Sequence, residues 1–107
     1  MGAKPVDQEA EVLAVMPLRW ARAALADLGR LHAFLADVNP AAAARVVQAL
    51  AQGAGRLQDN PRLGMRLTEF DPREVRRIIV GQYEMRYELD EKNVHILRLW
   101  HTREDRQ

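Results

Sequence analysis

The spacing of apolar positions changes once along this chain, and the change divides it in two. From Trp20 they recur at steps of three and four, through Ala24, Leu28, Leu31, Leu35 and Val38. That is the spacing of one helix face. Asn39-Pro40 interrupts it. Proline disfavours helix at the residue before it and suits a first helical turn, and asparagine is a good N-cap. A second helix therefore starts here, with Ala43, Val46, Val47, Leu50, Ala54 and Leu57 as its buried stripe and Asp59-Asn60-Pro61 as its stop. The alanines at 41–44 combine high helix propensity with little bulk. They predict two helices lying close together as an antiparallel hairpin with a very short connection. Gly29 sits inside the first helix, where glycine costs about 1 kcal/mol relative to alanine; a close helix contact is expected there.

After Pro61 the period shortens to two. Gly64 predicts a turn, Leu67 to Phe70 a short strand, and Asp71-Pro72-Arg73 a further turn. Glu74 to Val80 is rich in β-branched residues and is followed by Gly81-Gln82 as a tight turn. Tyr83 to Leu89 alternates strictly, with Tyr83, Met85, Tyr87 and Leu89 on one face and Glu84, Arg86 and Glu88 on the other. Asp90 to Asn93 turns again. Val94 to Trp100 is the last strand, apolar on both faces as expected of a strand flanked on both sides. Upstream, Leu13 to Arg19 alternates loosely and predicts an edge strand, the one place where Pro17 is tolerated. The fold class is α+β: a short N-terminal strand, an antiparallel helical hairpin, then a three- to four-stranded antiparallel sheet. The helices cover one sheet face, so a site is expected on the other. Residues 1–15 read as a disordered extension and residues 16–107 as the folded domain.

Composition narrows the function. A chain of 107 residues fits one domain. The absence of cysteine excludes disulfides and thiolate metal sites, and suits a reducing compartment; a cytoplasmic location is expected. No stretch approaches the ~20 apolar residues of a membrane span, and Val12 to Leu18 is too short, and too closely preceded by acids, for a signal peptide. The whole chain carries a formal charge of +1; Lys4 stands against Asp7, Glu9 and Glu11 before residue 16, so residues 16–107 carry +3. That balance permits a nucleic-acid partner without demanding one. Three scattered histidines without a matched acid pattern predict no metal site, and no cofactor is expected.

The order of the motifs adds a resemblance. Ala24, Asp27 and Leu28 in the first helix are followed by the Asn39-Pro40 break and the Leu57…Pro61…Gly64 linker. The Arg76…Tyr83…Tyr87 hairpin comes next, then the ending Leu97-Arg98-Leu99-Trp100-His101-Thr102-Arg103. Over roughly residues 16–105 this resembles the RelE/ParE superfamily of bacterial toxins from type II toxin–antitoxin (plasmid stabilisation) systems. The resemblance implies a small cognate antitoxin whose extended or helical tail wraps the toxin, and a complex that represses its own operon. A toxin homodimer or a toxin–antitoxin hetero-oligomer is expected to bury the surplus apolar surface of the hairpin. It also implies one of two targets. RelE-like members cut messenger RNA in the ribosomal A site; ParE-like members poison DNA gyrase and are not nucleases.

The two branches ask different things of the residues. Metal-free RNA cleavage needs a base for the 2′-hydroxyl, an acid for the leaving 5′-oxygen and cations on the phosphorane. His101 is the acid–base candidate, since a histidine gives or takes a proton near neutral pH. Arg76, Arg77, Arg86, Arg98 and Arg103 are candidate phosphate clamps. Arg76 and Arg77 point to opposite faces, and Arg76 is preferred. Glu88 shares a face with Arg86 and would act as base. The nuclease set is thus His101, Arg76, Arg86 and Glu88, with Arg98, Arg103, Trp100 and Tyr87 as binding residues. Each has a plainer reading: His101 as a hydrogen-bonding residue at a strand exit, Arg86 as an ion pair with its glutamate neighbours, Tyr83, Met85 and Tyr87 as core. His32 and His95 receive no role. His101 loosely matches the C-terminal histidine of some nuclease members. The linker lacks the lysine cluster of RelE itself, however, and Thr102 stands where a tyrosine often follows. The His101-x-Arg103 ending resembles the ParE side at least as well, which tips the expectation toward gyrase, with the ribonuclease and an inactive antitoxin-binding relative as alternatives.

Overall fold

A computed structural model describes residues 15–104. The disordered extension expected at residues 1–15, and the start of the strand expected from Leu13, fall outside these residues except at Val15. Strand β1 (Leu18–Trp20) leads into helix α1 (Arg22–Val38) and helix α2 (Pro40–Asp59). A two-residue strand β2 (Met65–Arg66) and a 3₁₀ turn (Thr68–Phe70) precede β3 (Glu74–Val80), β4 (Tyr83–Leu89) and β5 (Val94–His101). The sheet runs β1-β5-β4-β3-β2. Every neighbouring pair is antiparallel except β1 and β5, which are parallel.

The helical hairpin forms as its punctuation dictates. Asn39 Oδ1 accepts the Ala42 N–H at 3.1 Å while Pro40 occupies the first turn. Both helices pack on one sheet face. Ala24 and Leu31 of α1, with Leu50, Ala54 and Leu57 of α2, meet Ile78, Val80, Met85, Tyr87, Leu89, Val94, Ile96 and Leu99. Trp20 belongs to β1 rather than to the helical stripe. Val38 ends that stripe but is 83% exposed. Gly29 has nothing within 4 Å of where a Cβ would stand, so no close contact explains it.

Gly81 and Gly64 have structural reasons. Gly81 adopts φ +62° in the β3–β4 turn, a conformation other residues rarely take. At Gly64 a Cβ would lie 2.5 Å from the Arg77 carbonyl oxygen and 2.8 Å from both Ile78 Cγ2 and the Tyr87 hydroxyl. The linker thus lies directly on β3, held by the Tyr87 hydroxyl, which donates to Pro61 O at 2.7 Å and accepts the Gly64 N–H at 2.9 Å. Gly64→Ala is expected to destabilise the protein by about 1–3 kcal/mol through overpacking. A lower urea midpoint at unchanged slope would show this. An unchanged midpoint would mean that the linker moves freely.

The strand expected at Leu67 to Phe70 is displaced. The pairing lies at Met65–Arg66, and only the Leu67 N–H extends it, to Val75 O at 2.8 Å. Asp71 N then bonds Thr68 O at 3.1 Å, closing a 3₁₀ turn; the few residues before β3 reverse the chain too sharply for more strand. In β5 the alternation breaks. Arg86 faces Arg98 and the next residue, Tyr87, faces Ile96, leaving Leu97 as an extra residue. This bulge reverses the facing of everything after it. Leu99 enters the core with Ile96, and Trp100 turns to the helix-free side.

Candidate functional site

The helix-free face carries an arginine–aromatic stack. The Arg86 guanidinium lies 5.3 Å from the Phe70 ring centre and 4.7 Å from that of Trp100, and Arg98 lies 5.3 Å from the same indole. Such contacts fix a cation against an aromatic face. Arg77 stands opposite Arg86 in the ladder, and the buried Glu84 carboxylate lies 3.6 Å from Arg77 and 3.7 Å from Arg86. Glu88 is forked by Arg73 at 2.7 and 3.1 Å. The Arg73 hydrogen bond and charge hold its carboxyl below the usual range, against a smaller upward effect of burial, which makes it a weak proton acceptor.

The other sequence candidates lie elsewhere. Arg76 is on the helix side beneath the linker, donating to Glu74 at 2.9 Å and to Gly64 O at 2.7 Å. Tyr87 has no accessible surface; its hydroxyl anchors the linker, and burial raises its pKa. His101 sits where β5 ends, on the helix side. Its Nδ1 accepts the Arg103 N–H at 3.1 Å, which leaves Nε2 to donate to Gln82 Oε1 at 3.1 Å. Its ring meets Tyr83 edge-on at 5.2 Å. Arg76 pairs with Tyr87 and His101 with Tyr83, which places the two on the order of 15 Å apart by strand spacing. Arg86 and Glu88 are on the opposite face from both. The structure therefore does not bring His101, Arg76, Arg86 and Glu88 together. It does bring Arg98, Trp100 and Arg86 together.

Beside His101 opens a groove of about 630 Å³, lined mainly by Leu31, Phe34 and Leu35 of α1, and by Tyr83, Arg103 and Glu104. Phe34 is 73% exposed, and Val38 continues its apolar line one turn on. A second groove of about 400 Å³ between α2 and the β3–β4 turn shares Gln82 and Tyr83 with the first. Arg45 and Arg103 line these grooves and have no ion pair among the described residues. The surface is apolar with a basic rim.

A family model described as the ParE toxin of type II toxin-antitoxin system, parDE, matches residues 18–106. The chain belongs to this ParE toxin family. It is also 34% identical over 83 residues to Toxin RelE2 of Caulobacter vibrioides, covering 78% of this chain and 91% of the relative. Its fold superposes on a chain of a chromosomal ParDE TA system from P. aeruginosa with a TM-score of 0.68 at 25% identity, covering 80% and 95% of the two chains. The fold and the superfamily expected from the motif order are those found. No helix among the described residues is long and apolar enough to cross a membrane.

Two residues of this ParE-family fold were not legible as site-forming. Asp27 is buried in α1, where it accepts from Arg98 at 2.7 and 3.1 Å and from the Leu99 N–H at 2.9 Å. Its place in the motif order was visible, but its partners lie more than seventy residues away. Glu104 accepts the His101 N–H at 2.7 Å and pairs with Arg30. Nothing local marked it.

Proposed function

We propose that this toxin arrests growth by binding its target rather than by cutting RNA, with DNA gyrase as that target, and that a cognate antitoxin neutralises it by covering the groove between α1 and the end of β5. The observation that supports the non-catalytic reading is the dispersal of the residues that cleavage requires. An acid, a base and cations must lie within hydrogen-bond reach of one phosphate, and here they occupy two sheet faces. Both ring nitrogens of His101 are engaged within the protein. The antitoxin reading is supported by family membership and by the exposed apolar line of Phe34 and Val38. We place the toxin in the cytoplasm, where both gyrase and the antitoxin would be met.

The deciding experiment follows brief induction without antitoxin by supercoiling assay and by mapping of messenger RNA 5′ ends. Loss of gyrase supercoiling without new ends is the expected outcome. New ends phased to codons would replace this reading with the ribosome-dependent ribonuclease, and growth without arrest would favour an inactive relative. His101→Ala is expected to keep toxicity within about threefold, since no proton-transfer step depends on it, whereas loss of a general acid–base costs about 10²–10⁴ in rate. Abolished toxicity in a folded His101→Ala protein would restore His101 as a catalytic candidate.

A further inference from the structure

The helix-free face carries a row of like charges. Arg77 of β3 stands directly opposite Arg86 of β4, and Arg86 directly opposite Arg98 of β5. Like charges facing each other across strands weaken a sheet. Neighbouring arginines are answered within hydrogen-bond reach: Arg73 by Glu88 at 2.7 Å, Arg62 by Glu74 at 2.9 Å, and Arg98 itself by Asp27 at 2.7 Å. Arg77 and Arg86 are treated differently. They share the Glu84 carboxylate at 3.6 and 3.7 Å, and neither guanidinium makes a hydrogen bond among the described residues.

The row is nonetheless held in place. Arg86 lies against the rings of Phe70 and Trp100, and Arg98 against Trp100. The fork to Asp27 uses Nε and Nη2 of Arg98 and leaves Nη1 over. An arginine gives up rotamer freedom when a partner immobilises it. These have already given it up, so an anion meets donors fixed in advance. The row also has an apolar flank. Met65 of β2 stands opposite Arg77, and Ile79 follows Arg77 two residues on along the same face. Both are half-exposed.

We propose that this face is the surface by which the toxin holds its target, and that it fits an acidic protein surface whose carboxylates sit beside aliphatic side chains. The partner's carboxylates reach Arg77 and Arg86, and its aliphatic groups cover Met65 and Ile79. Arginine and methionine are enriched at such interfaces. A nucleic acid fits less well: single strands bind by stacking bases on open aromatic faces, whereas Trp100 is 7% exposed and the flank is aliphatic. The inference deepens the gyrase reading and rests on it. The groove beside α1 lies on the other side of the sheet, so the two surfaces can be altered separately.

Purified DNA gyrase, free of DNA, is the probe, titrated by calorimetry and followed by a supercoiling assay. Met65→Glu sets a carboxylate opposite Arg77, a favourable cross-strand pair, and so competes with the partner's own carboxylate. Its urea midpoint and its affinity for the antitoxin encoded beside the toxin gene should hold, while gyrase affinity falls at least tenfold. Met65→Gln, matched in shape but uncharged, should bind gyrase at least threefold more tightly than Met65→Glu. Arg77→Met should also lose at least tenfold. Equal losses for Met65→Glu and Met65→Gln, or no loss in Met65→Glu and Arg77→Met, overturn the surface assignment and leave the gyrase reading standing. A wild type that neither binds nor inhibits gyrase overturns both. Binding of wild type to DNA alone, weakened by Arg77→Met while gyrase binding is untouched, assigns the row to a nucleic acid and overturns the protein partner.

Discussion

Asp27→Ala is expected to lower folding stability by about 3 kcal/mol, the largest single effect of any substitution considered. The estimate combines the loss of charge-assisted hydrogen bonds, about 1.5–3 kcal/mol each, with exposure of the remaining Arg98 charge to water, which limits the cost. The carboxylate joins three pieces of chain: α1 through its own backbone, the bulged part of β5 through the Leu99 N–H, and Arg98 through a two-bond fork. Removing it leaves a buried N–H without an acceptor. For a domain of this size the loss corresponds to a fall in Tm of roughly 12–20 °C.

The same group imposes a pH dependence. Burial pushes the Asp27 carboxyl up, but the hydrogen bonds from Arg98 and Leu99 and the charges of Arg98 and Arg30 outweigh it and leave the folded pKa lowered. A lowered folded pKa contributes stability that is complete above the unfolded value of about 3.9 and is lost as pH falls through the folded value. Wild type should therefore lose more stability than Asp27→Ala between pH 6 and the acid limb, and the gap between them should narrow only as pH falls below the unfolded carboxylate value. Urea midpoints of both proteins across this range check it. A gap that stays constant would mean that Asp27 acts through packing alone.

Phe34→Asp is expected to weaken antitoxin binding by at least 100-fold and to leave toxicity in place. An aromatic side chain 73% exposed, with Val38 exposed one turn on, is an unfilled apolar contact. Aromatic anchors of this kind cost about 2–4 kcal/mol when removed from an interface, and about 2.7 kcal/mol is 100-fold. A charge in its place adds a desolvation cost. Toxicity should persist because Phe34 lies outside the core. Calorimetric titration and a growth-rescue assay with antitoxin measure the two effects separately. Full rescue of the Phe34→Asp toxin would place the antitoxin elsewhere.

The candidate site was legible only in pieces. His101, Arg98, Trp100 and Arg103 stand in one short run of sequence, and the strand exit they form was readable from it. Their surroundings were not. Whether His101 faces Gln82 and Arg103 N–H or an open cleft depends on a turn from one hairpin meeting the end of another strand. Tyr87, which the sequence reads as either core or site, and Arg76, a phosphate-clamp candidate, both lie beneath the linker, whose contacts no local pattern announces. Gly64 was read as a turn, whereas its role is to let the linker press on β3.

What the sequence determined by itself was everything set by local chemistry. Helical spacing, the Asn39-Pro40 cap and the Gly81 turn depend on neighbours a few residues apart, so they produced the two helices, the meander and the toxin-like motif order. Tertiary structure alone decided the facing of β5. A strict alternation from Val94 would have sent Arg98 and Trp100 into the core; the extra residue at Leu97 turns them out and brings Leu99 in. A bulge is a choice of partner register, and register is set by what the whole sheet and its helices can bury. The same choice aims Leu99 N–H at Asp27 and His101 N–H at Glu104.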